Sequence, residues 1–490
     1  MSTHFIRPLV PTACLISLVL HGRDLAAQSP ARPSCAENLD SLARRIELDY
    51  SGFKLEIVGE RRTGYEQALR ELRARSAGTL ADECFPVLSG LTSWFDDPHL
   101  FVFQSSRVDS ATAARRAATV RVVSLDETRA RAYFDHRAAR LDPIEGLWSD
   151  GHLRVAVVAD SLANGRFTAV VMTADSSSWR PGAVRATFAK RADRSYDVEM
   201  WDRNYAIRHL DGQIHKRVML RLSPGIWGKE YPVRAVDRGL IDPIDPHRAT
   251  LLVRGDLVVV SIPSHDPTYK GALDTLLARH RDDVRRADRL IVDLRGNEGG
   301  SSWITDGLMP YIASEHKRVT PFDSGEAVML SSSDQIAYAK RAFGSDTSAF
   351  VRSLVQRLTD HPGELVPLRD PSMPKEPDER DSVIVGPRRV AVLIDHGTVS
   401  ASEVFVLRAL RSERARVFGE PTAGALDYQS VNIVRLSSAE RQWYLGYPTI
   451  TARASLPSGG MRGKGIPPDV RVDWSKVADP ISYVDGLLRR

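Results

Sequence analysis

Apolar positions change their spacing twice along the 490 residues. Between 36 and 95, Leu39, Leu42, Ile46 and Tyr50 recur every three or four residues, as do Leu69 with Leu72 and Leu88 with Leu91, which predicts helices. Gly59 and Gly64 punctuate this stretch, and it ends in the polar turn Phe95-Asp96-Asp97-Pro98-His99 before a short strand at 100–103. From 115 to 245 strand-length runs take over, at 119–123, 153–158, 167–172 and 218–222. Asp150-Gly151, Asn164-Gly165, Pro181-Gly182 and Asp211-Gly212 fall between them as turn signals, so this region reads as an antiparallel sheet or barrel. Pro243 and Pro246 mark 237–247 as the linker out of it. Beyond Leu251 strands alternate with helices: a strand at 256–262, a helix at 269–285, and two continuous apolar runs, 289–294 and 389–395, typical of parallel strands buried on both faces. A polar, largely helical excursion at 333–385 separates those two runs.

Composition adds limits. The chain is 42% hydrophobic and 26% charged, an ordinary globular balance. Basic and acidic residues nearly cancel, 67 against 62, and no Lys/Arg run has the length of a nucleic-acid arm, so no nucleic-acid partner is expected. Arg7, the apolar stretch 9–20 and Leu25-Ala26-Ala27 read as a cleavable export signal, since the stretch falls short of the roughly 18 residues a membrane span needs. No stable membrane span is expected further on. With Cys14 inside the signal, the mature chain keeps Cys35 and Cys84; in an oxidising compartment a lone pair tends to become a disulfide, the alternative being two buried thiols. No His or Cys lies near either at ligand spacing, so no metal and no cofactor is expected. The expected division is 1–27 signal, 28–110 helical segment, 115–245 antiparallel β insert and 250–490 α/β core.

Chemistry concentrates at two strand ends. In Val392-Leu393-Ile394-Asp395-His396-Gly397-Thr398-Val399-Ser400-Ala401-Ser402-Glu403 a buried strand stops and a helix starts near Ser400. A serine there stands among free helix N-terminal amides able to stabilise an oxyanion, although serine also begins helices as a plain N-cap. In Leu294-Arg295-Gly296-Asn297-Glu298-Gly299-Gly300 the glycines let backbone amides approach a bound group, or simply make a tight turn. The glycine spacing is not that of a dinucleotide loop, and no Lys-Ser/Thr follows as in a phosphate loop.

Together these motifs resemble the C-terminal-processing (tail-specific) and tricorn-core peptidases. Asp293-Leu294-Arg295-Gly296-Asn297-Glu298-Gly299-Gly300 is similar to that family's Asp-Leu-Arg-x-Asn-x-Gly-Gly loop, and Thr398-Val399-Ser400-Ala401-Ser402-Glu403 to its nucleophile segment. Gly419-Glu420-Pro421-Thr422-Ala423-Gly424, the closing Gly465-Ile466-Pro467-Pro468-Asp469 and the N-terminal Asp97-Pro98-His99 are similar to further family segments. The resemblance covers mainly 251–475. It implies an α/β, Clp/crotonase-like catalytic core, Ser400 as nucleophile, and the amides of Ala401 and of Gly299 or Gly300 as the oxyanion hole. Where tail-specific members carry a lysine base the chain has Ala425, and Lys464 does not match that place; the tricorn-like branch implies His99 as base, with His396 as an alternative. The carboxylate that orients the histidine in that branch is replaced by Arg462, which leaves Asp427 as the substitute third member. The region 115–245 does not look like the PDZ domain many members carry; Trp148 and Trp179 either line a ligand pocket or fill a small β core. The implied function is an exported serine peptidase acting on a polypeptide substrate through an acyl-enzyme. The alternatives are an inactive member binding peptides or an apolar ligand, and an esterase on the same site.

Overall fold

The computed structural model describes residues 34–80, 83–105, 110–160, 163–174, 179–223, 225–318, 320, 327–342, 348–370, 372, 383–384, 386–436, 442–453, 456 and 459–490. The export signal expected at 1–27 lies outside them.

The N-terminal segment is helical, as its periodicity predicts: α1 (Cys35–Asp49), α2 (Ser51–Glu56), α3 (Glu60–Ser76) and α4 (Phe85–Ser93). Ser34 starts α1 with a reciprocal cap, its Oγ accepting the Glu37 N–H at 3.2 Å while its own N–H donates to Glu37 Oε2 at 2.6 Å. Leu39, Leu42 and Ile46 on one face of α1 meet Leu69, Leu72, Leu88 and Leu91 in one buried cluster. A disulfide between Cys35 and Cys84, with Cα atoms 5.3 Å apart, ties the starts of α1 and α4 together. The turn after α4 leads into β1 (Phe101–Ser105).

The strand expected at 119–123 is not there. Ser110–Thr119 is helix α5 and Glu127–His136 is helix α6. An Ala/Arg-rich sequence favours the first, and Asp126 caps the second by accepting the Arg129 N–H at 2.8 Å. Val122 makes an isolated bridge to Ala183.

The insert proper is a closed up-and-down barrel of β2 (Gly146–Ser149), β3 (Leu153–Ala159), β4 (Arg166–Ala174), β5 (Val184–Lys190), β6 (Tyr196–Trp201), β7 (Ile207–His215), β8 (Met219–Leu222) and β9 (Gly225–Tyr231), with β9 pairing back to β2. Its interior is packed with Trp148, Phe167, Phe188, Tyr196 and Trp227, so the tryptophans fill a core. Asp211-Gly212, expected as a turn, lies inside β7; the turn comes at Lys216-Arg217, with φ of 52° and 63°. The barrel is not an independent body beside the core: Val218, Met219 and Ile226 pack against Val259, Ile291, Leu393 and Phe418 of the central sheet.

That sheet runs β10 (Thr250–Arg254), β11 (Leu257–Ser261), β12 (Arg289–Asp293), β15 (Arg389–Ile394), β16 (Ala415–Gly419) and β19 (Val470–Arg471), with β10 antiparallel and the rest parallel. Strands β11 and β12 are buried throughout, which accounts for their unbroken apolar runs. Between its strands lie α7 (Lys270–Arg279), α8 (Arg281–Arg286), α9 (Met309–Ile312), β13 (Val328–Leu330), α10 (Ser333–Ala342), α11 (Ala349–Asp360), β14 (Leu365–Pro367), α12 (Ala401–Leu410), β17 (Tyr428–Arg435) and β18 (Gln442–Thr451). Helix α13 (Pro480–Leu488) shares one face of the sheet with the barrel, and α7 and α12 cover the other. Strand β18 pairs with β1, β13 and β17, so a second sheet brings the N-terminal segment onto the core. The fold is an α/β core carrying an N-terminal helical segment and an inserted antiparallel β barrel.

Candidate active site

Parallel strands put their following loops on one edge of the sheet, where sites form in α/β folds. Here the loops after β12, β15 and β16 meet. The Val399 N–H donates to the Asn297 carbonyl at 3.0 Å and the Ala423 N–H to the Thr398 carbonyl at 3.1 Å. Ser400 opens α12 with φ 57° and ψ −116°, a conformation that costs a non-glycine residue about 1–3 kcal/mol and so must be held by its surroundings.

What holds it is Glu403, which is buried. One carboxylate oxygen accepts the Ser400 N–H at 2.8 Å and the Ala425 N–H at 2.9 Å; the other accepts the Thr422 hydroxyl at 2.6 Å and the Gly424 N–H at 2.7 Å. Burial pushes this carboxyl above the ordinary glutamate range, and the donors from Thr422, Ser400, Gly424 and Ala425 pull the other way. Glu403 thus locks the backbone of Ser400 to the 422–425 loop. Its spacing from Ser400, Ser-x-x-Glu, is the capping-box signal that the sequence carries.

His99 comes from the other end of the chain. The Asp97 carboxylate accepts the His99 N–H at 2.9 Å and the Tyr50 hydroxyl at 2.8 Å, shaping the turn that presents the ring. Burial pushes the Asp97 carboxyl up, against the pull of the His99 backbone N–H. The ring spans two partners: Nε2 lies 3.0 Å from Ser400 Oγ and Nδ1 lies 2.6 Å from the Tyr428 carbonyl oxygen. A carbonyl only accepts, so Nδ1 carries the proton and the Nε2 lone pair faces the serine hydroxyl.

The third member differs from expectation. Asp427 does not reach His99: its Oδ1 accepts the Met461 N–H at 2.6 Å, and the next residue's carbonyl orients the imidazole instead. Tyr428 is in turn fixed by Glu56, which accepts its hydroxyl and is paired with Arg462 at 3.0 Å and with Arg453. Arg462 therefore points its charge at Glu56 rather than standing free beside the histidine, and its guanidinium lies 5.3 Å over the Tyr428 ring. Glu56 had no motif to reveal it. His396 is exposed and faces Gln213 at 3.2 Å and Glu420 at 3.5 Å.

Of the expected oxyanion donors, the structure separates the two glycines. The Gly299 N–H donates to Asn297 Oδ1 at 2.9 Å, whereas the Gly300 N–H has no hydrogen-bond partner among the described residues. Ala401, as the first residue of α12, has an N–H beyond the reach of intrahelical partners. Gly299, at φ 90°, passes so close that a Cβ there would sit 2.9 Å from the Ala401 nitrogen and 2.7 Å from the Val399 carbonyl oxygen. Ser402 is buried and donates to the Asn297 carbonyl at 3.0 Å, with His265 Nδ1 3.2 Å away, so it braces the loop. Burial holds the His265 imidazole down at about 4, so it stays neutral.

Residues 256–472, from the start of β11 to just past β19, match the family described as Peptidase family S41. None of the curated proteins matches the chain. Among solved structures, mature CPAF is 13% identical over 93% of this chain and 97% of that one, with a TM-score of 0.43. The photosystem II D1 C-terminal processing protease is 13% identical over 94% and 98%, with a TM-score of 0.37. A lipoprotein from Streptococcus agalactiae is 11% identical over 94% and 98%, with a TM-score of 0.39. These likenesses are remote, and the firmer likeness is that of the matched segment: residues 256–472 are similar to peptidase family S41, a family of serine-type peptidases.

Proposed function

We propose that this chain is an exported serine peptidase that cleaves peptide bonds through an acyl-enzyme on Ser400. The observation that carries the reading is the relay Ser400 Oγ–His99 Nε2 at 3.0 Å and His99 Nδ1–Tyr428 O at 2.6 Å. As Oγ attacks the scissile carbonyl, its proton passes to Nε2, and the Nδ1–H bond to Tyr428 keeps the ring aimed while it carries positive charge. The carbonyl oxygen becomes an oxyanion facing the N–H groups of Ala401 and Gly300. Collapse of the tetrahedral intermediate breaks the C–N bond, and the Nε2 proton goes to the leaving amine. Water then attacks the acyl carbon as its proton passes to Nε2; collapse breaks the C–Oγ bond, and Nε2 returns the proton to Oγ, which releases the acid product and free Ser400.

An aligned base on the serine favours an enzyme over a member that only binds peptides. Export is supported by the sequence at 1–27 and by the Cys35–Cys84 disulfide, which suits an oxidising compartment. No helix among the described residues is long and apolar enough to cross a membrane. The test is incubation of the full chain with a denatured protein and a set of aryl esters. Peptide products that vanish in Ser400→Ala support the reading; ester turnover without any peptide cleavage defeats it in favour of an esterase.

A further inference from the structure

The β7–β8 hairpin of the barrel enters the catalytic core at the carboxyl ends of its strands. At its tip Lys216 Nζ donates to Ser261 Oγ at 2.9 Å and to the Asp293 carbonyl at 3.2 Å. Just before it, His215 Nδ1 donates to Asp395 Oδ2 at 2.7 Å, both groups buried. Asp395 Oδ1 accepts the N–H of Gly296 at 2.9 Å and of Gly397 at 3.0 Å, so one carboxylate ties the glycine loop after β12 to the nucleophile loop after β15. The imidazole fills the gap between those loops: a Cβ at Gly296 would lie 2.6 Å from His215 Cγ, and one at Gly397 2.9 Å from its Nε2. On the return strand Arg221 donates to the Gly296 carbonyl from Nε at 3.2 Å and Nη2 at 2.5 Å, and pairs with Glu298 at 3.4 Å. Beyond β8, Ser223 donates to the same Glu298 carboxylate at 3.0 Å.

We propose that His215 is a positioning residue, acting through Asp395, and that by this hairpin the barrel sets the geometry of the oxyanion hole. The inference rests on the peptidase reading above. The segment 294–300 carries Gly296, Gly299 and Gly300, whose backbone has little conformational preference of its own, yet it must hold the Gly300 N–H fixed relative to Ala401. Hole donors work only where the oxyanion develops, and a displacement of about 1 Å costs on the order of 100-fold in rate. The hairpin supplies that constraint from outside the matched segment, by buried bonds to Gly296 and Asp395 and by partly exposed contacts with Glu298.

The test compares the full-length wild type with His215→Leu, His215→Asn and Arg221→Met, using a peptide the wild type cleaves and a peptide boronate that adopts the tetrahedral geometry. For His215→Leu, kcat and boronate affinity are expected to fall together by about 10- to 100-fold with KM within twofold, because the lost contact serves the transition state. His215→Asn, whose side-chain N–H can replace the Nδ1 donor, is expected to recover most of that loss. Arg221→Met, releasing Gly296 from a second side, should show the same kcat-selective fall and serves where His215→Leu does not fold. Folded leucine and methionine variants with lower melting temperatures but unchanged kcat and boronate affinity overturn the proposal. So does an asparagine variant as impaired as leucine, with KM and kcat shifting together. A wild type that neither cleaves peptide nor binds boronate is a distinct result, which overturns the peptidase reading and this inference with it.

Discussion

Replacing Glu403 by Gln changes a few atoms and tests how the nucleophile is held. The carboxylate receives four donors, two on each oxygen. A carboxamide offers one oxygen. If its NH2 takes the place facing Ser400 and Ala425, two backbone N–H groups lose their acceptor. If it takes the place facing Thr422 and Gly424, the Thr422 hydroxyl can turn to accept, and the Gly424 N–H alone is orphaned. The second arrangement costs less. An orphaned buried N–H costs about 1–3 kcal/mol, and two or three charge-assisted bonds weakened to neutral ones lose on the order of 1 kcal/mol each. The expected loss of stability is about 3–5 kcal/mol, read by urea denaturation at pH 8. A weaker hold on the Ser400 N–H also lets its strained backbone relax, so fluorophosphonate labelling of the folded variant should slow by about 10-fold or more. A variant within about 1 kcal/mol of wild type and labelled at the wild-type rate would refute the role given to Glu403.

Two more outcomes follow from the same geometry. Gly299→Ala should lower kcat by about 100- to 1000-fold, the range seen when one oxyanion donor is lost, because its Cβ would crowd the Ala401 amide; a steady-state kcat within threefold of wild type contradicts this. Lys216 is held by burial at about 8, below the unfolded value of about 10.4, against the attraction of Asp293. Between those values the unfolded chain binds a proton that the folded chain lacks, so this group makes stability rise with pH across about 8 to 10.4. Urea midpoints measured across that window should rise more steeply with pH for the wild type than for Lys216→Met, and equal slopes would refute the assignment.

The sequence made some of this legible because the physics involved is local. Strands β11, β12 and β15 are buried on both faces and can be built only from apolar runs, and Ser400 and His99 sit in segments with recognisable spacing. Strands β6 and β7 were missed because they alternate buried with exposed positions, and β7 carries the polar pair Asp211-Gly212 in its middle. The Lys216-Arg217 turn adopts positive φ without glycine or asparagine to mark it. The group orienting His99 is a main-chain carbonyl, which any residue at 428 supplies, and the side chain that the sequence offers in its place, Asp427, lies one position away. Glu56 and His215 act only across the assembled fold, 372 residues from Tyr428 and 180 residues from Asp395 respectively.

The central claim is that His99 activates Ser400, and mass mapping of a fluorophosphonate adduct tests it most directly. The account predicts a single adduct on Ser400 in the wild type, formed at least about 100-fold more slowly in His99→Ala, the usual scale for losing a general base. An adduct on Ser402 or elsewhere, or labelling of Ser400 in His99→Ala at the wild-type rate, would contradict it.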